Sequence, residues 1–400
     1  MSREDAITSR WDLARVLQPV TPEAFFAETY ERRHLAIHRE DRDWFSDLMS
    51  ADDIDRAVSD LGLRAENLNL VKTGEGIEKA SYTFETGELD PVRVFQHFGE
   101  GATVVLPHLH RVLPRLADYC RALETAFSAD LQTNIYMTPA GSQGFKTHYD
   151  SHDVLVLQIA GSKEWRIYDG GPELPTRDMA FTPEGFEPGP EIDRLVLHPG
   201  DTLYVPRGVV HDARSTGETS LHITTGILPV RWIDLIAEAV AARALVDPEL
   251  RRSLPPGYGG PDADMGAMAA ELARLIGRAA GGVDAEAALA ERARAYRASR
   301  RPRVRGQLHE IEARHSVAEG RRAEARGDLI YRIVPDAEGK LRLETGGTEI
   351  VLPAHVEETL RRALTVGPFT VGELPGPLDA EGQVVLVRRL LREGLVRLLP

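Results

Sequence analysis

The chain has 400 residues, 42% hydrophobic and 28% charged, enough for two or three domains with full cores and unlike a disordered sequence. No run approaches the roughly 18 apolar residues of a membrane span, the first residues Met-Ser-Arg-Glu-Asp lack a signal-peptide core, and a single cysteine, Cys120, excludes an intrachain disulfide framework; a cytoplasmic protein is expected. The net charge of −14 argues against a general phosphate-binding surface and favours basic partners.

In chain order, residues 10 to 60 read as short helices, one of them starting at Pro22 with Thr21 as its N-cap. Residues 109 to 127 have helical period, with apolar residues at 112, 116, 119, 120 and 123; Cys120 is expected as a buried helix thiol. From 131 to 229 the pattern changes to short apolar strands divided by Gly and Pro, as in a double-stranded jelly roll. Within it, residues 169 to 194 hold prolines at 172, 175, 183, 188 and 190. That segment is long for a hairpin connection and reads equally as a lid over a substrate groove or as an inert insertion.

From 231 the chain turns helical, over 232–245, 267–276 and 285–298, with a break at Pro255-Pro-Gly-Tyr-Gly-Gly-Pro261. These apolar helices need a partner surface. The arginines between 292 and 326 are interleaved with Glu310, Glu312, Glu319 and Glu324, so a solvated connecting face is favoured over a nucleic-acid surface. Residues 328 to 400 read as strand, strand, helix, helix, strand, with strands at Leu329–Val334 and Leu341–Glu344. The expected class is α+β, with a catalytic domain over 1–230, a helical domain over 231–326 and a third domain over 327–400.

Three residues carry the chemistry. His148 and Asp150 stand two apart in Lys-Thr-His148-Tyr-Asp150, so on a strand they share a face. His211 closes Gly200-x5-Pro206-x-Gly208-x2-His211, a match to the second motif of the cupin barrels. Two imidazoles and one carboxylate form a facial triad that suits non-haem Fe(II) and leaves positions open for an organic acid and O2. Lys163, one of five lysines against 43 arginines, follows in Gly161-Ser-Lys163-Glu-Trp165. Buried among strand residues it needs an anionic partner; the alternative is a surface lysine at a hairpin after Gly161.

The stretch from Asn134 to Arg166 resembles the core of the Jumonji-C oxygenases, and more closely their ribosomal-oxygenase branch, whose members hydroxylate ribosomal proteins. The resemblance implies His148, Asp150 and His211 as iron ligands, Lys163 as the salt-bridge partner of 2-oxoglutarate, and Asn134 and Tyr136 as lining of the cosubstrate pocket. It runs from about residue 20 to 400: Thr21–Ile37 is similar to the family's opening helix and first strand, and Ser220–Gly226 to the strand after the last ligand. Arg231–Pro255 is similar to the start of its helical domain, which implies a homodimer, and the tail to its winged-helix module. Gly226 stands where the family often has a hydroxyl residue, which leaves Thr224 to supply that contact.

The leading expectation is therefore an Fe(II)- and 2-oxoglutarate-dependent hydroxylase acting on a basic protein or peptide. A metal cupin enzyme without 2-oxoglutarate is opposed by Lys163 and the Asn134/Tyr136 pair. A winged-helix regulator with a vestigial barrel is opposed by the intact triad. Residues 329 to 400 carry nine Lys+Arg and ten Asp+Glu, too few cations for a DNA-reading module.

Overall fold

The computed structural model describes residues 11–400 except 328, 337 and 366. The chain forms two compact units, divided between Pro229 and Val230. The first opens with α1 (Leu13–Leu17), α2 (Pro22–Glu28), β1 (Leu35–Ile37), α3 (Ala51–Asp60), β2 (Asn69–Val71), α4 (Pro91–Gly99), β3 (Thr103–Pro107) and α5 (Pro114–Phe127). Thr21 caps α2 as expected, its hydroxyl accepting from the Ala24 N–H at 3.2 Å. Helix α5 begins five residues later than its apolar period suggests. Pro114 occupies its first turn, and Leu113 before it is extended (φ −95°, ψ 114°), the conformation a following proline imposes. Residues 109–111 form a separate 3₁₀ turn, which leaves Val112 exposed while Leu116, Tyr119, Cys120 and Leu123 are buried. Burial pushes the Cys120 thiol well up, so it is an inert core group.

The strands follow as β4 (Asp130–Thr138), β5 (Asp153–Ala160), β6 (Lys163–Tyr168), β7 (Glu191–Leu197), β8 (Thr202–Val205), β9 (Val210–Ser215) and β10 (Ser220–Leu228). They form an antiparallel seven-stranded sheet, β1-β8-β5-β10-β4-β3-β2, and a three-stranded sheet, β7-β6-β9. Strand β5 is apolar on both faces. Leu155 and Leu157 pack with the helices in the main core, whereas Val154 and Val156 meet Trp165, Leu197, Leu203 and Val205 between the sheets. This is the expected two-sheet barrel. The 169–194 segment is shorter than its Pro and Gly content suggests, since β7 begins at Glu191 and pairs with β6.

The second unit begins with α6 (Trp232–Val246), α7 (Met265–Gly281), α8 (Ala285–Ser299) and α9 (Gln307–Ala313). Ala279 is the only fully buried residue of α6–α8 among the described residues. On α6, Trp232 is 74% and Leu245 79% exposed. The neighbouring arginines meet acids other than the interleaved glutamates: Arg292 meets Glu238 and Arg294 meets Glu291 near the surface, whereas Arg297 and Glu344 form a largely buried pair, so this stretch is only partly a solvated face. Then come β11 (Arg322–Ala325), β12 (Arg332–Pro335), β13 (Lys340–Thr345), β14 (Thr348–Pro353), α10 (Glu357–Ala363), β15 (Pro368–Thr370), α11 (Ala380–Arg392) and β16 (Val396–Leu398). Strands β11, β14 and β15 add to the expected pattern. They are short or lie at a sheet edge, with Ile350 the only buried residue of β14, so they carry little apolar period. One core, including Val317, Leu343, Leu360, Phe369, Leu390 and Val396, unites this part.

Candidate metal centre

The site is built on backbone pairing. His148 and His211 exchange both main-chain hydrogen bonds, at 3.0 and 2.8 Å, in an isolated bridge outside the named strands on the His148 side. The spacing argument expected His148 and Asp150 on one strand; instead β5 begins only at Asp153, and Asp150 lies in the preceding loop. That loop is held by the Gly208 N–H, which donates to the Asp150 carbonyl at 2.8 Å. Gly208 has φ 85°, and any β-carbon there would run into the carbonyl oxygen of Pro172. The Pro-x-Gly of the second motif is thus a requirement for close backbone approach beside a ligand.

Side chains complete the arrangement. His148 Nδ1 lies 2.7 Å from the Lys146 carbonyl and His211 Nδ1 3.0 Å from the Val209 carbonyl. A carbonyl only accepts, so Nδ1 carries the proton in both rings and Nε2 is left with a lone pair. One ligand atom from each of His148, Asp150 and His211 falls within 4.8 Å of the others. His211 Nε2 lies 3.8 Å from Asp150 Oδ2. Burial, and then His148, hold the His211 pKa below its ordinary value, which keeps the imidazole neutral as a ligand requires. Asp212, buried next in sequence, accepts from the Thr147 and Tyr168 hydroxyls, each at 2.8 Å, and from Arg166 at 2.9 Å, tying the His148 segment to β6 and β9.

The triad opens on a cavity of about 240 Å³, below the roughly 300–1,000 Å³ of drug-sized sites and suited to a small acid. It brings together every residue singled out in the sequence: His148, Asp150, His211, Lys163, Asn134, Tyr136 and Thr224. Lys163 is 5% exposed, which rules out the surface-lysine alternative. Its ammonium donates to Thr138 Oγ1 at 3.3 Å and lies 5.9 Å from the Tyr136 ring. No carboxylate among the described residues pairs with it. Burial alone therefore pushes its pKa down to about 7. A buried cation without an anion, beside a three-ligand metal set, fits an anionic ligand that also reaches the metal.

Sequence reading missed His222, Trp165 and His152, which line the same cavity. The His222 ring stacks on Tyr136 (centroids 4.8 Å, 3° between planes), and its buried Nδ1 has no hydrogen-bond partner among the described residues. Its position two residues before Thr224 on one strand places it on the same face, a signal that was available. Gly226 is explained by a neighbour: a β-carbon there would stand 2.6 Å from Cδ2 of His152. Outside the triad, Phe145 and Phe181 each lie 6.1 Å from the His148 ring, and Tyr149 packs edge-on against Phe181 at 5.4 Å. The 169–190 segment thus lies against the ligand loop; the Tyr149 hydroxyl donates to the Met179 carbonyl at 3.2 Å.

Residues 106–235 match the JmjC domain family. Protein similarity is spread more widely. The chain is 35% identical over 246 residues to the bifunctional lysine-specific demethylase and histidyl-hydroxylase NO66 of Dictyostelium discoideum, covering 58% of this chain and 46% of that protein. It is 31% identical over 270 residues to the protein of the same name from Aedes aegypti, covering 64% and 41%. The chain thus spans less than half the length of these relatives. In fold it is similar to the Escherichia coli ribosomal oxygenase YcfD, solved with cobalt and 2-oxoglutarate: TM-score 0.53, 17% identity, 96% of this chain and 99% of that one. Residues 106–235 thus carry a JmjC domain, in a JmjC/cupin fold of mixed α+β content. The sequence similarity to NO66 and the fold similarity to YcfD point the same way as the motifs read from the sequence.

Proposed function

We propose that this protein is an Fe(II)- and 2-oxoglutarate-dependent hydroxylase of a side chain in a basic protein, a ribosomal protein being the leading candidate. The single observation that carries the reading is the pairing of a neutral-imidazole, His-Asp-His donor set with a buried, anion-less Lys163 in one small cavity. His148 and His211 would hold the metal through Nε2, their Nδ1 protons fixed on backbone carbonyls, and Asp150 would supply the third donor. Lys163 would hold the distal carboxylate of 2-oxoglutarate, with Asn134, Tyr136 and Thr224 around the chain of the acid. Bound together, iron and 2-oxoglutarate supply O2 activation, in which the acid leaves as succinate and CO2 and one oxygen atom goes to the substrate C–H. The protein orients the two partners and excludes water: Trp165 and Val154 line the apolar side of the cavity. The names of the relatives include both demethylation and histidyl hydroxylation, and hydroxylation is the reading carried forward here.

We further assign the exposed apolar faces of α6–α8 to a homodimer interface, and the β11–β15–β16 sheet with α10 and α11 to a winged-helix-like module serving protein contact. Its charge, near neutrality, is what argues against DNA. The deciding assay is succinate formation from 2-oxoglutarate with Fe(II), with and without ribosomal-protein peptides. Peptide-dependent succinate and a mass gain of one oxygen on the peptide are expected. A metal-loaded protein that leaves 2-oxoglutarate untouched with every peptide would point to the 2-oxoglutarate-independent cupin instead.

A further inference from the structure

Strand β10 presents His222, Thr224 and Gly226 to the interior at every second residue. The His222 end is the lysine end of the cavity, since the His222 ring stacks on Tyr136 and Lys163 lies beside the same Tyr136 ring. Gly226 is four residues on, roughly 13 Å along the strand, paired with Gln132 on β4 and Val154 on β5. There the ring of His152 occupies the volume a side chain at 226 would need: a β-carbon would meet its Cδ2 at 2.6 Å and its Nε2 at 2.7 Å. His152 lines the same cavity as the triad, and its ring nitrogens take part in no hydrogen bond among the described residues.

We propose that His152 is a positioning residue for the organic acid. Seated on Gly226, its imidazole donates a ring N–H to the carboxylate at the keto-acid end, while Lys163 holds the carboxylate at the other. The inference rests on the 2-oxoglutarate reading. A dianion charged at both ends of a short chain is held best by a donor at each end. Among the cavity residues outside the metal ligands, His152 is the one whose ring is seated against Gly226, four residues along β10 from His222. Glycine and histidine form a matched pair: the missing β-carbon at 226 is what lets the ring lie on the floor of the site.

The test titrates 2-oxoglutarate and oxalate into Mn(II)-loaded protein without O2, for His152→Ala, His152→Gln, Gly226→Ala and the His152→Ala/Gly226→Ala double variant. Mn(II) affinity and melting temperature are followed separately. His152→Ala and Gly226→Ala should each weaken 2-oxoglutarate about tenfold, the loss of one hydrogen bond to a charged group. The double variant should be no weaker than His152→Ala, and His152→Gln, which keeps an N–H donor, should recover most of the affinity. Oxalate has no second end to reach Lys163, so its affinity should fall in His152→Ala and hold in Lys163→Ala. Unchanged 2-oxoglutarate affinity in His152→Ala, additive losses in the double, or oxalate following Lys163 would each overturn the assignment. If Gly226→Ala fails to fold, the His152 pair decides alone. Failure of the parent reading looks different: the wild-type protein then binds Mn(II) but no 2-oxoglutarate at all.

Discussion

The two rings that define the site, His148 and His211, are committed to one tautomer by backbone carbonyls before any metal arrives. Replacing either one, or Asp150, with alanine leaves two fixed donors. Metal content after dialysis and turnover should both fall to background; retention of either in Asp150→Ala would overturn the triad. Lys163→Ala should leave metal content intact and weaken 2-oxoglutarate by about tenfold to a hundredfold, the range for a hydrogen bond to a charged group. The pH dependence has a defined sign. Lys163 titrates at 10.5 in an unfolded chain and at about 7 in the fold. Between those values the unfolded state binds more protons, so the stability of the ligand-free protein gains from this group as pH rises from about 7. The cosubstrate needs the ammonium form. Its affinity should decline above pH 7 in calorimetry, and the contribution should vanish in Lys163→Ala. Lys163 was legible because a lysine amid apolar strand residues demands an explanation. His222 could have been read from its place two residues before Thr224, whereas nothing in the spacing of His152 marked it. What gives each its place is a long-range neighbour, Tyr136 for one and Gly226 for the other.

At the scale of elements, the sequence pattern located barrel, helices and closing strands because strands β5 and β8 and helices α6–α8 have strong apolar content or helix formers. Boundaries failed where a local rule overrode the period: Pro114 delayed α5, and pairing with β6 began β7 within what read as loop. Most exposed to mutation is the Pro206–Gly208 turn. Gly208→Ala would impose both left-handed strain and a backbone clash, together about 3 kcal/mol. A melting temperature lower by several degrees and weaker metal retention are expected, because the same turn holds the Asp150 carbonyl. A variant as stable as wild type would show that the Pro172 segment yields freely.

Over the whole molecule, the second unit leaves Trp232, Ile233, Ile236, Leu245 and Val246 exposed on one helix. Exposed apolar side chains in this number suit the homodimer interface proposed above. Light scattering at micromolar concentration should give twice the 44.2 kDa chain mass, and Trp232→Glu with Ile236→Glu should shift the protein toward monomer; a wild-type monomer would dismiss the interface. Net charge −14 further predicts no submicromolar binding of duplex DNA at physiological salt. Among the described residues no helix is long and apolar enough to cross a membrane.

The reciprocal bond between the main chains of His148 and His211 joins points 63 positions apart in sequence, numbers 148 and 211. A metal held by both side chains would therefore add a further tie across a long loop at the point where these two amides already meet. Those two amides become reporters. Their deuterium exchange should slow on metal loading, with or without cosubstrate, and far more than the amides of β10, which are already locked in the sheet. Metal occupancy would then be readable in the backbone itself, before any substrate is known.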